Sequence, residues 1–469
     1  MLKTLQNELD NLIERSLDQT LRLAVTGLSQ SGKTTFITGF INQLLSLNTV
    51  EQPQLPLFSA ARHHRILGVK RLTQKNWQLP RFEYEENLLS LQQSPPQWPQ
   101  STRGLSETRL EIHYQHSQSL LRHIKANGVL YLDIFDYPGE WLLDLPLLSQ
   151  DFQRWSQAMH QLLQGERKQL AQPWLEKLQK LDLTQAADEH FLAQLAKDYT
   201  DYLHQCKSAG FYFIQPGRFI LPGEAEGAIA LQFFPLVHLS EQQWQQLQKN
   251  ADKQSYFSVL QQRYCYYRDQ IVKAFYQQHF SRFDRQIILA DCLTALNHSH
   301  QAFIDMQMAL RALFQSFHYG QRNFFSRLFS PKIDKLLFAA TKADHITTDQ
   351  IPNLISLLRQ LVQSEGEHLQ FSHIDIDFTA FAAIRATQQV IVEEQGQQFK
   401  AIQGVRSIDK KSVTLFPGTV PQRLPTADFW KNSAFEFDQF EPQTALEGEP
   451  LPHLRLDSVL EYLLGDKLT

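Results

Sequence analysis

Residues 27–34 read Gly27-Leu-Ser-Gln-Ser-Gly-Lys-Thr34, the pattern Gly-x4-Gly-Lys-[Ser/Thr]. In such a loop, backbone N–H groups and a helix N-terminus surround phosphate oxygens, the lysine answers their charge, and the hydroxyl ligates Mg²⁺. Before it, Leu21-Arg-Leu-Ala-Val-Thr26 is strand-like; after it, Thr35 to Leu45 is an apolar helix. This is the strand–loop–helix setting the chemistry needs. Ser29, Gln30, Ser31 and Gly32 are expected to wrap the phosphates, Lys33 to span the β- and γ-phosphates, Thr34 to bind Mg²⁺, and Thr35 to lie near the α-phosphate. Alone, the loop says only that a nucleoside triphosphate binds.

Two shorter motifs follow in a fixed order. Gly128-Val-Leu-Tyr-Leu-Asp-Ile-Phe135 reads as a strand ending at Asp136-Tyr-Pro-Gly139, which supplies a carboxylate for Mg²⁺ through water and a Gly139 N–H for the γ-phosphate. Lys335-Leu-Leu-Phe-Ala-Ala340 is a strand that hands on to Thr341-Lys-Ala-Asp344. There Asp344 can accept from a purine's N1–H and exocyclic N2–H₂ while the Lys342 stem lies over the ring. Adenine lacks both donors, so the order of the motifs narrows the ligand to a guanine nucleotide. Taken singly, each short motif is an ordinary strand-closing turn; their joint order carries the assignment. After a further strand, Ile374 to Ala380, the segment Phe381-Ala-Ala-Ile384 is expected to bring the Ala383 N–H, beside Ile384, to the guanine carbonyl oxygen. A first switch loop is expected at Ser101 to Thr108, with Thr102 as a second hydroxyl on Mg²⁺.

The chain has 469 residues, 42% apolar and 20% charged, enough for two or three packed units. A formal net charge of −4 gives no global reason to bind nucleic acid or an anionic membrane. Cys206, Cys265 and Cys292 are widely spaced and odd in number, which suits a reducing, cytoplasmic compartment and offers no disulfide framework. Leu2 to Leu17 has the spacing of a short amphipathic helix without a signal peptide's apolar block, and no stretch reaches the roughly 20 apolar residues of a bilayer span. His63 and His64, in a basic run, read as an exposed loop rather than a metal motif.

Alternating strands and helices imply a doubly wound, mainly parallel α/β sheet of the P-loop nucleoside triphosphatase kind. After Gln286 to Cys292, the alternation runs through a helix at Gln301 to Phe317, the strand at Lys335, and a helix at Ile351 to Val362. Between them, Gln- and Leu-rich periods such as Trp155 to Leu181, with a break expected at Pro173, read as a large helical insertion containing an ordered loop at Gln215 to Gly223. The division is therefore 1–140 for the first part of the core, 141–285 for the inserted domain, and 286–469 for the second part, closed by a helix from Leu456 to Leu468. Pro53 to Pro99 reads as irregular, and a hairpin is expected around Glu393 to Phe399.

These residues resemble the YcjX family of bacterial P-loop proteins, itself similar to Ras-like GTPases and G-protein α subunits. The likeness spans nearly the whole chain: Gly27 to Thr34, Trp98 to Glu107, Asp136 to Glu140, Gln215 to Phe219, Thr341 to His345, and Leu451 to Asp457. Gln215-Pro-Gly-Arg-Phe219 and Leu451-Pro-His-Leu-Arg-Leu-Asp457 belong to no general GTPase code and are the more specific part. The resemblance implies a Ras-like core with a helical insertion and GTP or GDP with Mg²⁺ as ligands. It also implies a stress-linked cytoplasmic role, peripheral at the inner membrane through a membrane-associated partner.

Two positions depart from the related proteins. Glu140 stands where Ras-like proteins carry a Gln that orients the attacking water, and its charge near a γ-phosphate is costly unless paired; Arg103 is one expected cation. Arg103 lies directly beside Thr102 rather than a few residues before it, so it is either an in-cis arginine finger or a surface Arg. The leading expectation is a slow, Mg²⁺-dependent GTPase switch. An ATPase and a non-catalytic nucleotide-dependent scaffold stay open beside it.

Overall fold

Gln19–Gly27 (β1) buries Leu21, Leu23, Ala24 and Val25 in near-continuous succession, the mark of a strand covered on both faces. The structure, a computed structural model, describes residues 19–49, 55–74, 76–100, 104–117, 127–317, 333–363, 374–394, 396–432 and 435–469. The amphipathic segment expected at Leu2 to Leu17 lies outside them. β1 is the central strand of a seven-stranded sheet with Ile66–Leu72 (β2), Ser106–Gln115 (β3), Asn127–Asp136 (β4), Arg285–Ala290 (β5), Lys335–Ala340 (β6) and Asp375–Ala380 (β7), in the order β2-β3-β4-β1-β5-β6-β7. β2 with β3 and β3 with β4 are antiparallel; the other four pairings are parallel. β1 therefore has β4 on one side and β5 on the other, and the loop that follows it emerges where the strand order reverses, the place where open α/β sheets take ligands.

The register sets Val25 beside Asp136 and Gly27 beside Leu289, which brings the first two motifs to one edge of the sheet. Phe36 and Phe40 of helix Lys33–Ser46, Leu132 and Ile134 of β4, and Leu460 and Leu463 of helix Leu456–Leu464 share one buried cluster. The closing helix ends at Leu464 and runs on as a 3₁₀ turn at Gly465–Lys467. Arg285, fully buried at the start of β5, binds Asp334, Asp466 and the Leu463 carbonyl, so it ties that helix to the sheet.

The chain divides into two compact units, one of Met1–Tyr137, Phe283–His300 and Lys332–Thr469, the other of Pro138–Arg282 and Gln301–Pro331. The first contains the sheet and a smaller antiparallel one, Thr387–Glu394 (β8), Gln397–Val405 (β9) and Ser412–Leu415 (β10), in which β8 and β9 form a hairpin longer than the sequence suggested. The second is mainly helical, with Phe152–Leu162, Gly165–Leu178, Glu189–Ser208 and Tyr256–Tyr266 around buried aromatics such as Trp155 stacked on Tyr264.

Three expectations need correction. Helix His300–Ser316 falls, from Gln301 on, in the second unit rather than in the second part of the core: its Asp305 pairs with Arg167 at 2.7 Å and accepts the Tyr212 and Phe213 N–H groups at 2.7 Å, all inside that unit. Pro173 sits within helix Gly165–Leu178, and the break falls instead at Leu163 and Gln164, ahead of Gly165 at φ +51°. The stretch between Pro53 and Pro99 holds β2 and helix Tyr84–Gln92. Leu67 and Leu89 are exposed there, so neither element shows a clean apolar period.

Candidate functional site

Gly32 precedes helix Lys33–Ser46 in a left-handed conformation at φ 78°, which glycine adopts without strain, and Gln30 lies at φ 60°. Two such residues within three positions curl the backbone into the kind of concavity that holds anions. The helix has no side-chain cap and no acidic residue in its first turn, so its leading N–H groups and positive dipole end are left to a ligand. Lys33 Nζ lies 3.8 Å from an oxygen of Asp136, whose side chain is 1% exposed at the end of β4. Thr34 is buried at the same helix start. A hydroxyl and a carboxylate are hard oxygen donors of the type Mg²⁺ takes, so the residues present fit that ion.

The phosphate loop opens into a cavity of about 270 Å³ within the first unit. Gln30, Ser31, Gly32 and Thr35 line one end, and Lys342, Asp344, Ala383 and Ile384 line the other. Gly39 makes this closeness possible, because a Cβ there would stand 2.7 Å from the Ala383 carbonyl oxygen. The structure thus gathers the residues of two motifs and of the segment after β7 around one space.

Their chemistry differs in detail from the sequence reading. Asp344 is 1% exposed, and its Oδ2 accepts the N–H groups of Ala386 at 2.6 Å and Thr387 at 3.1 Å, while Thr387 Oγ1 donates to the Asp344 carbonyl. Only Oδ1 is left without a partner among the described residues. Lys342, left-handed at φ 57°, sends its ammonium to Asp291 at 2.5 Å and Gln439 Oε1 at 2.7 Å. Burial pushes the Asp291 carboxyl up, but the Lys342 charge together with hydrogen bonds from Lys342 and Thr294 holds it below its usual range. Neither Ala383 nor Ile384 gives its N–H to an acceptor among the described residues. Burial lowers the pKa of His345, next to Asp344, and its Nδ1 lies 3.2 Å from the Asp438 carbonyl.

Thr102 and Arg103 lie outside the described residues. Gly139 and Glu140 open the second unit, in the 3₁₀ helix Gly139–Ser149. The cation beside Glu140 is Lys207, at 2.9 Å, a partner that sequence distance concealed. One turn on, Asp144 is fully buried, accepting the Gly217 N–H at 2.9 Å and the Tyr267 hydroxyl at 2.5 Å. Burial raises its pKa from 3.8 to about 7 despite those donors. Its folded value exceeds its unfolded one, so its contribution to stability is fully present below about pH 4 and is lost as pH rises through about 7. Thermal melting between pH 4 and 7 should therefore show a fall in stability with rising pH, a slope that Asp144→Asn flattens; an unchanged slope in the variant would contradict this.

The sequence reading missed the cavity's other walls: Phe36, Trp98, His345, Phe381, Gln439 and Phe440. Trp98 and His345 do fall in family-like segments, which was the available signal. Gln439 and Phe440 belong to no motif.

A mostly parallel α/β sheet with flanking helices, and a left-handed glycine between its central strand and a helix, is consistent with a P-loop nucleoside triphosphatase. The chain belongs to the YcjX-like family, DUF463, which matches residues 21–468. It is 51% identical over 467 residues to "Ras-like GTPase YcjX" of Escherichia coli, covering 100% of both chains. It is 44% identical over 470 residues to "Ras-like GTPase YcjX" of Shewanella oneidensis, covering 98% of this chain and 96% of the relative. The family is thus the one the sequence resembled, and both of these curated relatives carry the name of a Ras-like GTPase.

Proposed function

We propose that this chain binds GTP and GDP with Mg²⁺ in the cavity of its first unit and hydrolyses GTP slowly, as a switch. The observation that carries the proposal is that one cavity has the phosphate loop at one end and Asp344 with Ala383 at the other. The names of the curated relatives support the same activity. In this reading the N–H groups of Ser29 to Gly32 and the Lys33 ammonium hold the phosphates. Thr34, Asp136 and Thr102 would hold Mg²⁺, which supplies charge neutralisation to the phosphate oxygens. Asp344 Oδ1 and the Ala383 N–H, beside Ile384, read the purine edge, and the Lys342 stem covers the ring. On the motif reading, Gly139 and Glu140 complete the γ-phosphate side, with Arg103 as the candidate arginine. Glu140 enters that role already paired to Lys207, which quiets its charge but occupies it, in line with slow turnover.

A stress-linked role, a membrane-associated partner and a cytoplasmic location are part of the same proposal. No helix among the described residues is long and apolar enough to cross a membrane. Single-turnover phosphate release at saturating Mg²⁺ tests the reading: the rate should fall well below the roughly 10 s⁻¹ of a typical enzyme. Thr102→Ala should slow it by about tenfold more, the effect of losing about 1.4 kcal/mol of transition-state stabilisation. Fast release that Thr102→Ala leaves untouched would sink the slow-switch mechanism, and no release at all would favour the scaffold.

A further inference from the structure

Four consecutive residues, Phe437 to Phe440, carry no motif yet bond or stack with Asn297, His345, Lys342, Thr294 and Trp98. The backbone of Phe437 exchanges hydrogen bonds with the Asn297 side chain at 2.7 and 2.8 Å. The Asp438 carbonyl faces His345 Nδ1 at 3.2 Å. Gln439 accepts from Lys342 at 2.7 Å and donates to Thr294 Oγ1 at 3.0 Å, bridging the lysine to the residue that follows Asp291 by three positions. Phe440 sets its ring edge-on to His345, with centroids 5.1 Å apart, and its carbonyl accepts the Trp98 indole N–H at 2.9 Å. Trp98 is half-buried, lines the same cavity, and stands four residues ahead of Thr102 in the chain.

We propose that this segment is a clasp on the bound nucleotide: Gln439 holds the Lys342 stem in place beside the base, and the Phe440 carbonyl pins Trp98 in the cavity wall, so that nucleotide release requires the clasp to open. The inference rests on the proposed nucleotide site and adds residues that the phosphate-loop and Thr-Lys-x-Asp motifs do not contain. The lysine's charge is satisfied by Asp291 and Gln439 rather than left mobile, so its stem is presented at low entropic cost when a base arrives. Trp98 joins the base end to the chain leading into the candidate switch loop. Gln439 and Trp98 act as positioning residues.

Dissociation of mant-GDP from the full-length protein, chased with excess GDP, tests this. Gln439→Ala removes two hydrogen bonds, to Lys342 and Thr294, and Trp98→Phe removes one while keeping an aromatic ring; each should speed release by about tenfold while association changes little. Gln439→Glu, which keeps an acceptor for Lys342, should stay within about threefold of the parent, a rescue that a merely structural role would not give. Release rates unchanged in both variants, or Gln439→Glu releasing as fast as Gln439→Ala, would overturn the clasp while leaving the nucleotide site standing. Failure of the parent to bind mant-GDP would overturn both.

Discussion

Lys33→Ala is expected to weaken GTP and GDP binding by at least about 100-fold, the equivalent of roughly 3 kcal/mol. The lysine opens a helix whose first turn has neither a side-chain cap nor an acidic residue, so it is the strongest positive charge delivered by the loop itself. The neighbouring N–H groups survive the substitution, but they are dipoles facing triphosphate charge, and hydrogen bonds from charged donors are worth about twice neutral ones. A second consequence follows from the 3.8 Å approach of Lys33 to Asp136. Without the ammonium, a carboxylate that is 1% exposed loses a compensating charge, and the nucleotide-free protein should melt lower. Melting curves must therefore accompany the binding data. A folded Lys33→Ala protein that binds GTP as tightly as the parent would show that this loop does not hold the phosphates.

Asp344→Asn should invert base selectivity rather than abolish binding. Two backbone N–H groups, of Ala386 and Thr387, converge on Oδ2, so an asparagine at this position will turn its carbonyl oxygen toward them and set its amide nitrogen where Oδ1 now stands. That nitrogen is a donor. It opposes the guanine N2–H₂ and suits the carbonyl that xanthine carries at the same ring position. A site that hydrogen-bonds one group rejects the mismatched analogue by about 10⁴-fold, so the GDP-to-XDP preference should move by at least about 10³. The anchor also predicts that the fold tolerates the change, because both backbone donors keep an acceptor. Equal loss of GDP and XDP binding in the variant would mean that Asp344 only braces the start of β8 at Thr387.

Much of this architecture could be read before the structure because its signals are local. Gly27 to Thr34 carries its own backbone geometry, and the apolar runs on either side name the strand and the helix. β4 and β6 are short apolar strands that each deliver an acid within five residues, at Asp136 and Asp344. What escaped was non-local. Trp98 meets Phe440 across 342 positions and Lys342 meets Gln439 across 97, and neither Gln439 nor Phe440 sits in any periodic pattern. Lys207 reaches Glu140 across 67 positions, so a cation closer in sequence, Arg103, was the expected partner. Helix His300–Ser316 has the same amphipathic look as a sheet-packing helix; contacts distant in sequence, the buried Arg167–Asp305 pair and the Tyr212 and Phe213 N–H groups on Asp305, tie it to the second unit. The division of the Asp344 carboxylate between backbone donors and cavity depends on where β8 begins, which no local rule fixes.

The proposed function requires the cavity of the first unit to read guanine. Titration calorimetry of the nucleotide-stripped parent with GDP and with ADP, in Mg²⁺, tests it most directly. The account predicts that GDP binds at least about 100-fold more tightly than ADP, because Asp344 Oδ1 meets donors that adenine lacks. Equal affinities, or a preference for ADP, would contradict it.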